Sequence, residues 1–139
     1  MPTKKSPANR MTPRARRDLD IEIGFLEGVV RRAPDYVEAL QLLGDDYTRR
    51  GKFTEGLHVD VQLAQLRPED SLVHYNLACS YSLTGHFDEA LAALERALDL
   101  GYRDFKWLAR DPDLKSLRQS PLYKKIRARV RALQRDEAR

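Results

Sequence analysis

Apolar side chains recur at three- and four-residue spacing through most of this chain, the period of a helix with one buried face. Leu40, Leu43 and Tyr47 form one such series. Gly51 follows it, where a helix-ending residue of left-handed conformation would sit. The pattern predicts a second helix from about Thr54 to Leu66, stopped before Pro68. Residues 71–104 repeat the plan: Leu77 and Tyr81 mark a first helix, Gly85 a turn, and Ala90, Leu91, Leu94, Ala97 and Leu98 a second. Towards the N-terminus, Thr12-Pro13 reads as an N-cap and a first helical residue. Ile21, Phe25 and Val29, with Leu26 and Val30 alongside, predict the buried face of a helix that ends at Pro34. Towards the C-terminus, Phe105 to Leu108 predicts a short helix broken at Asp111-Pro112-Asp113, whose aspartates read as helix stop and N-cap. Pro121 opens a last helix with Leu122, Ile126, Val130 and Leu133 on one side.

Two stretches also match each other at an offset of 34 residues. Leu43 pairs with Leu77, Gly44 with Ala78, Tyr47 with Tyr81, Gly51 with Gly85, Phe53 with Phe87, Glu55 with Glu89, Gly56 with Ala90 and Leu57 with Leu91. A fixed period of this size marks a stack of repeated helical units. The small pairs Gly44/Ala78 and Gly56/Ala90 suit close approach of the two helices of a unit. The pattern carried by Leu43-Gly44, Tyr47, Gly51, Phe53 and Pro68, and then by Leu77-Ala78, Tyr81, Gly85, Phe87, Ala90 and Ala97, resembles the tetratricopeptide repeat family. Four positions depart from it. Asp60 stands where the family has an apolar residue, Gly56 replaces an alanine at up to about 1 kcal/mol in helix propensity, His74 replaces a large apolar residue, and Gly101-Tyr102 replaces Asp-Pro.

The resemblance implies an all-α fold: a short right-handed solenoid of antiparallel helix pairs with capping helices. Residues 1–11 then form a disordered basic tail and 12–139 a single domain. That domain divides into an N-terminal helix over 12–34, repeats over 37–70 and 71–104, and a degenerate repeat with cap over 105–139. The cap resembles the end-cap of bacterial members of the family. An unpaired carboxylate is costly in a core, so Asp60 is expected to draw Arg31 or Arg32.

By family geometry, the first helix of each pair turns one side to a concave groove. That stripe is Glu38, Gln41, Asp45, Thr48 and Arg49 in one unit and Leu72, Tyr75, Asn76, Cys79, Ser82 and Leu83 in the next, extended by Lys106 and Arg110. The function implied is a protein-interaction module that holds a protein or peptide in the groove. Some members clamp a C-terminal carboxylate with Lys, Asn, Asn, Lys and Arg. Asn76, Lys106 and Arg110 match the last three places, whereas Gln41 and Asp45 occupy the first two and Asp45 repels a carboxylate. A full clamp is therefore not expected. Tyr75, Asn76, Lys106 and Arg110 remain as a weak site for an acidic or C-terminal peptide.

Charge is unevenly spread. Residues 1–17 hold six Lys/Arg and no acid, 18–102 seven basic and sixteen acidic residues, and 103–139 twelve basic and five acidic. Lys124, Arg127, Arg131 and Arg135 lie along one helical stripe, with Lys125 and Arg129 beside it. Basic ends around an acidic body allow a second reading, an adaptor directed to nucleic acid or an anionic membrane. A third is a secretion-type chaperone for an extended client, which calls for dimerisation and a more apolar groove. No apolar run approaches the roughly 20 residues of a membrane span, and no apolar segment follows the basic start as a secretory signal requires. The single cysteine, Cys79, leaves no intramolecular disulfide framework, and a reduced, cytoplasmic setting is expected.

The sequence offers little for catalysis. His74 and Cys79 are five residues apart and point to different faces of their helix, His58 has no His or Cys three or four residues away, and His86 follows Gly85 in a turn. No phosphate-cradling glycine loop or nucleophile elbow is present. The expectation is no enzyme, no metal and no cofactor.

Overall fold

The computed structural model describes residues 11–139, so the basic tail expected over 1–11 lies, apart from Met11, outside the described residues. The helices are α1 (Pro13–Arg32), α2 (Val37–Arg50), α3 (Phe53–Leu66), α4 (Ser71–Leu83), α5 (Phe87–Asp99), α6 (Phe105–Leu108), α7 (Lys115–Gln119) and α8 (Lys124–Glu137). Two 3-10 turns, Pro112–Leu114 and Pro121–Tyr123, precede α7 and α8. Among the described residues there is no strand, and no helix is long and apolar enough to cross a membrane. Each of α1 to α4 packs on the helix that follows it. Beyond that, the Pro112–Leu114 turn and α7 fold back on α4, and the Pro121–Tyr123 turn, α7 and α8 fold back on α5. The result is an all-α, solenoid-like stack closed at its C-terminal end by short helices.

The ends of the helices follow from local chemistry. Thr12 Oγ1 accepts the Ala15 N–H at 3.0 Å, Asp70 Oδ1 accepts from Leu72 N–H at 3.0 Å and Val73 N–H at 3.3 Å, and Asp104 Oδ1 accepts from Trp107 N–H at 3.2 Å. Each satisfies a helix-terminal donor and is worth about 1 kcal/mol. The turns carry the sequence repeat into hydrogen bonds. After α2, Lys52 N–H donates to Tyr47 O at 2.8 Å; after α4, His86 N–H donates to Tyr81 O at 2.9 Å. Gly51 and Gly85 make this closure with φ of 82° and 78°, a region that costs a side-chain-bearing residue about 1–2 kcal/mol. The Gly101-Tyr102 departure closes α5 in the same way, with Tyr102 N–H on Ala97 O at 2.9 Å.

Close packing explains the small residues. A Cβ on Gly44 would lie 3.3 Å from both Val59 Cγ1 and Asp60 Oδ1, so α2 and α3 cross where only hydrogen fits comfortably. Two apolar clusters result. One gathers α1, α2 and part of α3 around Leu19, Leu40, Leu43, Val59 and Leu63. The other gathers α4, α5 and the C-terminal elements around Tyr75, Leu94, Leu98, Leu108, Leu117 and Ile126.

Two expected faces differ from those observed. In α1 the buried residues are Leu19, Ile23 and Leu26, whereas Ile21 and Phe25 are 66% and 67% exposed. The helix carries two apolar series, and α2 covers only one of them. Tyr47 Oη donating to Glu27 at 2.5 Å and Arg50 pairing with Asp20 at 2.7 Å hold α1 in that rotation. The Arg50 hydrogen bond also holds the Asp20 carboxyl below its ordinary range. Near the C-terminus, Pro121 starts a 3-10 turn rather than α8 itself. The tighter turn buries Tyr123 and leaves Leu122 exposed, while Ile126 is fully buried as expected and Val130 and Leu133 pack partly.

Candidate interaction cleft

A cleft of about 260 Å³ opens where α2, α3 and the start of α4 meet. Gln41 and Asp45 of α2 form one wall and Leu72 and Asn76 of α4 the other, with Asp60, Leu63, Asp70 and Val73 between them. Four side chains of the expected groove stripe are thus brought together. Among the described residues that line it, three are aspartates and none is Lys, Arg or His. Asp70 faces the cleft while capping α4, and Asp45 is exposed beside it.

Asp60 lies at the back of this cleft, and α4 supplies a partner for it that the expected pairing with Arg31 or Arg32 did not include. Ser80 Oγ of α4 donates to Asp60 Oδ2 at 2.5 Å. Arg32 instead turns back on its own helix, its Nε donating to Gly28 O at 3.2 Å, and Arg31 is exposed. His74, the other departure, reaches the chain ahead of its helix, with Nε2 2.9 Å from Pro68 O.

The rest of the expected stripe divides. Thr48, Tyr75, Cys79 and Ser82 are buried, and a partner cannot reach them in this conformation. Thr48 is taken up by the close α2–α3 crossing: its hydroxyl donates to Gly44 O at 3.1 Å and would lie 3.4 Å from a Cβ on Gly56. The C-terminal elements close over α4, and Asp111 meets Tyr75 and Cys79 there. Tyr75 stacks on Tyr102, ring centroids 4.2 Å apart, and donates to Asp111 Oδ2 at 2.6 Å. Burial, and then the neighbouring Cys79 and Asp111, drive the Tyr75 hydroxyl far above its ordinary range. Glu38, Arg49, Lys106 and Arg110 are exposed but do not line the cleft, and Arg49 instead approaches Asp46 at 3.5 Å. Of the three places that match the carboxylate clamp, only Asn76 lines this cleft.

Asp111 and Asp113 do more than stop a helix. Ligand atoms of Cys79, Asp111 and Asp113 lie within 4.8 Å of one another, all buried. Local spacing could not show this, because 32 residues separate Cys79 from Asp111. Asp111 accepts from Tyr75 Oη, from the Asp113 N–H at 3.0 Å and from Cys79 Sγ at 3.7 Å, so its oxygens already serve three donors of the protein. The cluster reads as the polar pin that fastens the cap to α4.

A second buried carboxylate, Asp46 of α2, also lies outside the expected stripe. Burial first, then the nearby Glu22 and Asp45, push it up to about 6 against the opposing pull of Arg49.

Residues 71–104 match the tetratricopeptide repeat family. A chloroplastic protein of Arabidopsis thaliana is 38% identical over 97 residues, which make up 68% of this chain and 28% of that protein. The likeness runs well beyond the single matched repeat, and this chain spans less than a third of that relative's length.

Proposed function

We propose that this chain is a non-enzymatic interaction module whose α2–α4 cleft holds a segment of a partner protein, a reading supported by the match of residues 71–104 to the tetratricopeptide repeat family. The observation that carries the reading is the shared cleft wall of Gln41, Asp45, Leu72 and Asn76, residues singled out by their place on successive first helices. Its chemistry points away from an acidic peptide. With Asp45 and Asp70 at the cleft and no cation among the described residues on its walls, the fitting segment carries a Lys or Arg beside an apolar side chain that packs on Leu72. The carboxamides of Gln41 and Asn76 offer donors and acceptors to its backbone.

The compartment that suits the chain is a reducing one, the cytoplasm or a plastid interior. Cys79 is a free, buried thiol, and the Arabidopsis relative is named as chloroplastic.

The test is a tagged pull-down from native extract beside an Asp45→Lys, Leu72→Lys variant. Both residues are exposed, so the variant is expected to keep the helical content and melting temperature of the parent. A protein captured by the parent and lost by this variant supports the cleft. A Lys106→Ala, Arg110→Ala variant is expected to capture as the parent does. If it alone loses the partner, the site is the exposed face of α6 and the cleft reading falls.

A further inference from the structure

A larger cavity, about 520 Å³, lies in the C-terminal cap between α6, α7 and α8, away from the residues of the cleft. Phe105, Leu108, Val130 and the ring of Tyr123 give it an apolar floor. Lys115, Arg118, Arg127 and Arg131 surround that floor, and no acidic side chain lines the cavity.

The bland account of such a rim is a solvated basic helix. The pairing of the cations on α7 and α8 argues against it. Those turned towards α5 are neutralised within the protein: Arg129 pairs with Asp99, and Lys125 lies 3.7 Å from Glu95. Those turned towards the cavity are not. Arg118 Nη1 donates to Leu108 O at 3.0 Å and Arg127 Nη2 to Arg118 O at 3.1 Å, contacts with neutral carbonyls that fix the guanidinium groups and leave their charge uncompensated. Arg127 also lies over the Tyr123 ring, 4.8 Å from its centroid. Lys115 and Arg131 make no hydrogen bond or ion pair with any described residue. Two held guanidinium groups and two uncommitted cations thus border an apolar hollow.

We infer that this cavity is a second binding site, separate from the cleft, for an acidic peptide segment in which one apolar side chain is flanked by carboxylates. The apolar side chain fills the space over Phe105, Leu108 and Val130, and the carboxylates meet the cations of the rim. The combination selects the ligand class. A nucleic-acid backbone brings anions but no apolar group of a size to enter the hollow. A bilayer presents its headgroups as a plane, and its acyl chains would have to leave the membrane to reach the floor.

The test uses the full chain and a fluorescein-labelled peptide of two aspartates, a leucine, a phenylalanine and two further aspartates, read by fluorescence anisotropy. Saturable binding is expected, weakened about tenfold or more in a Lys115→Gln, Arg131→Gln variant. Neither residue makes a contact the fold depends on, so unchanged helicity and melting are expected of the variant. A Lys125→Gln, Arg129→Gln variant removes the same charge from the paired side of α8 and is expected to bind within about threefold of the parent. A peptide with serine in place of leucine and phenylalanine is expected to bind about tenfold more weakly, because its apolar contact with the floor is gone. Equal losses in the two variants would reduce the effect to net charge and overturn the site. So would a serine peptide that binds as tightly, or no saturation up to about 1 mM. Phosphatidylglycerol vesicles or duplex DNA that bind more tightly than the peptide, and are lost selectively with Lys115 and Arg131, would overturn the peptide assignment in favour of that ligand.

Discussion

Asp46 sits in the contact between α1 and α2, 3% exposed, with Glu22 reaching it from α1 and Asp45 and Arg49 flanking it on its own helix. Its proton is held up to about 6, whereas in the unfolded chain it is lost near the ordinary aspartate value of 3.8. Between those values the folded state binds more protons than the unfolded one. The contribution of this residue to stability is therefore fully present below about pH 4 and is lost as pH rises through about 6. Asp46→Asn keeps the shape and removes the titration. The variant is expected to melt higher than the parent at pH 7.5, with the difference shrinking or reversing at pH 4.5, as thermal unfolding followed by circular dichroism at both values will show. A constant difference across that range would mean that Asp46 is already ionised without penalty. At this scale the sequence is least legible. The need of Asp60 for a partner follows from its type, but whether an arginine or Ser80 supplies it depends on which helix lies nearer. Likewise Tyr75 and Cys79 occupy positions that face a groove in family geometry, and only the folded cap shows that the chain covers them itself.

Among the elements, the contact of α3 with α4 is held by an unusual feature, the Ser80 hydroxyl donating to the buried Asp60 carboxylate. If that bond contributes to the docking of the two helices, the pair must be non-additive. Asp60→Ala and Ser80→Ala, singly and together, are expected to give a coupling energy of about 0.5–3 kcal/mol in urea denaturation. Additive losses would show that each residue acts through other contacts. Asp60→Leu alone fills the space but leaves the Ser80 hydroxyl to find another acceptor, so pairing it with Ser80→Ala is expected to be more stabilising than Asp60→Leu by itself. Element boundaries were legible because they rest on local chemistry: Thr12 and Asp70 as caps, and Gly51 and Gly85 at positive φ. The rotation of α1 was not. Leu19, Ile23 and Leu26 compete there with Ile21 and Phe25, and a helix bearing two apolar series needs its neighbour to choose between them. The folding of the Pro112–Leu114 turn and α7 onto α4 is likewise a long-range event, with no periodicity in the sequence to announce it.

For the molecule as a whole, the uneven charge noted in the sequence has become two unlike surfaces. The α2–α4 cleft is lined by aspartates, and the cap cavity is bordered by Lys115, Arg118, Arg127 and Arg131. On the two proposals, the first fits a basic segment and the second an acidic one, so that one chain would offer two surfaces of opposite preference. The apolar core is divided as well. Val59 and Leu63 of α3 face the N-terminal cluster, Leu57 faces the C-terminal one, and Ala64 touches both. The clusters meet mainly at α3, with Val73 of α4 also in the N-terminal one, and such a seam is expected to open locally. Amide hydrogen exchange under native conditions is expected to show α1 and α2 exchanging through openings that leave α4 and α5 protected. A single exchange free energy shared by α1 to α5 would refute the division. The cleft straddles this seam, with one wall on α2 and the other on α4. A partner seated there, as proposed, would act as a clip: it would slow exchange in α1 and α2, and its affinity would be reduced by the fraction of molecules whose clasp stands open when it arrives.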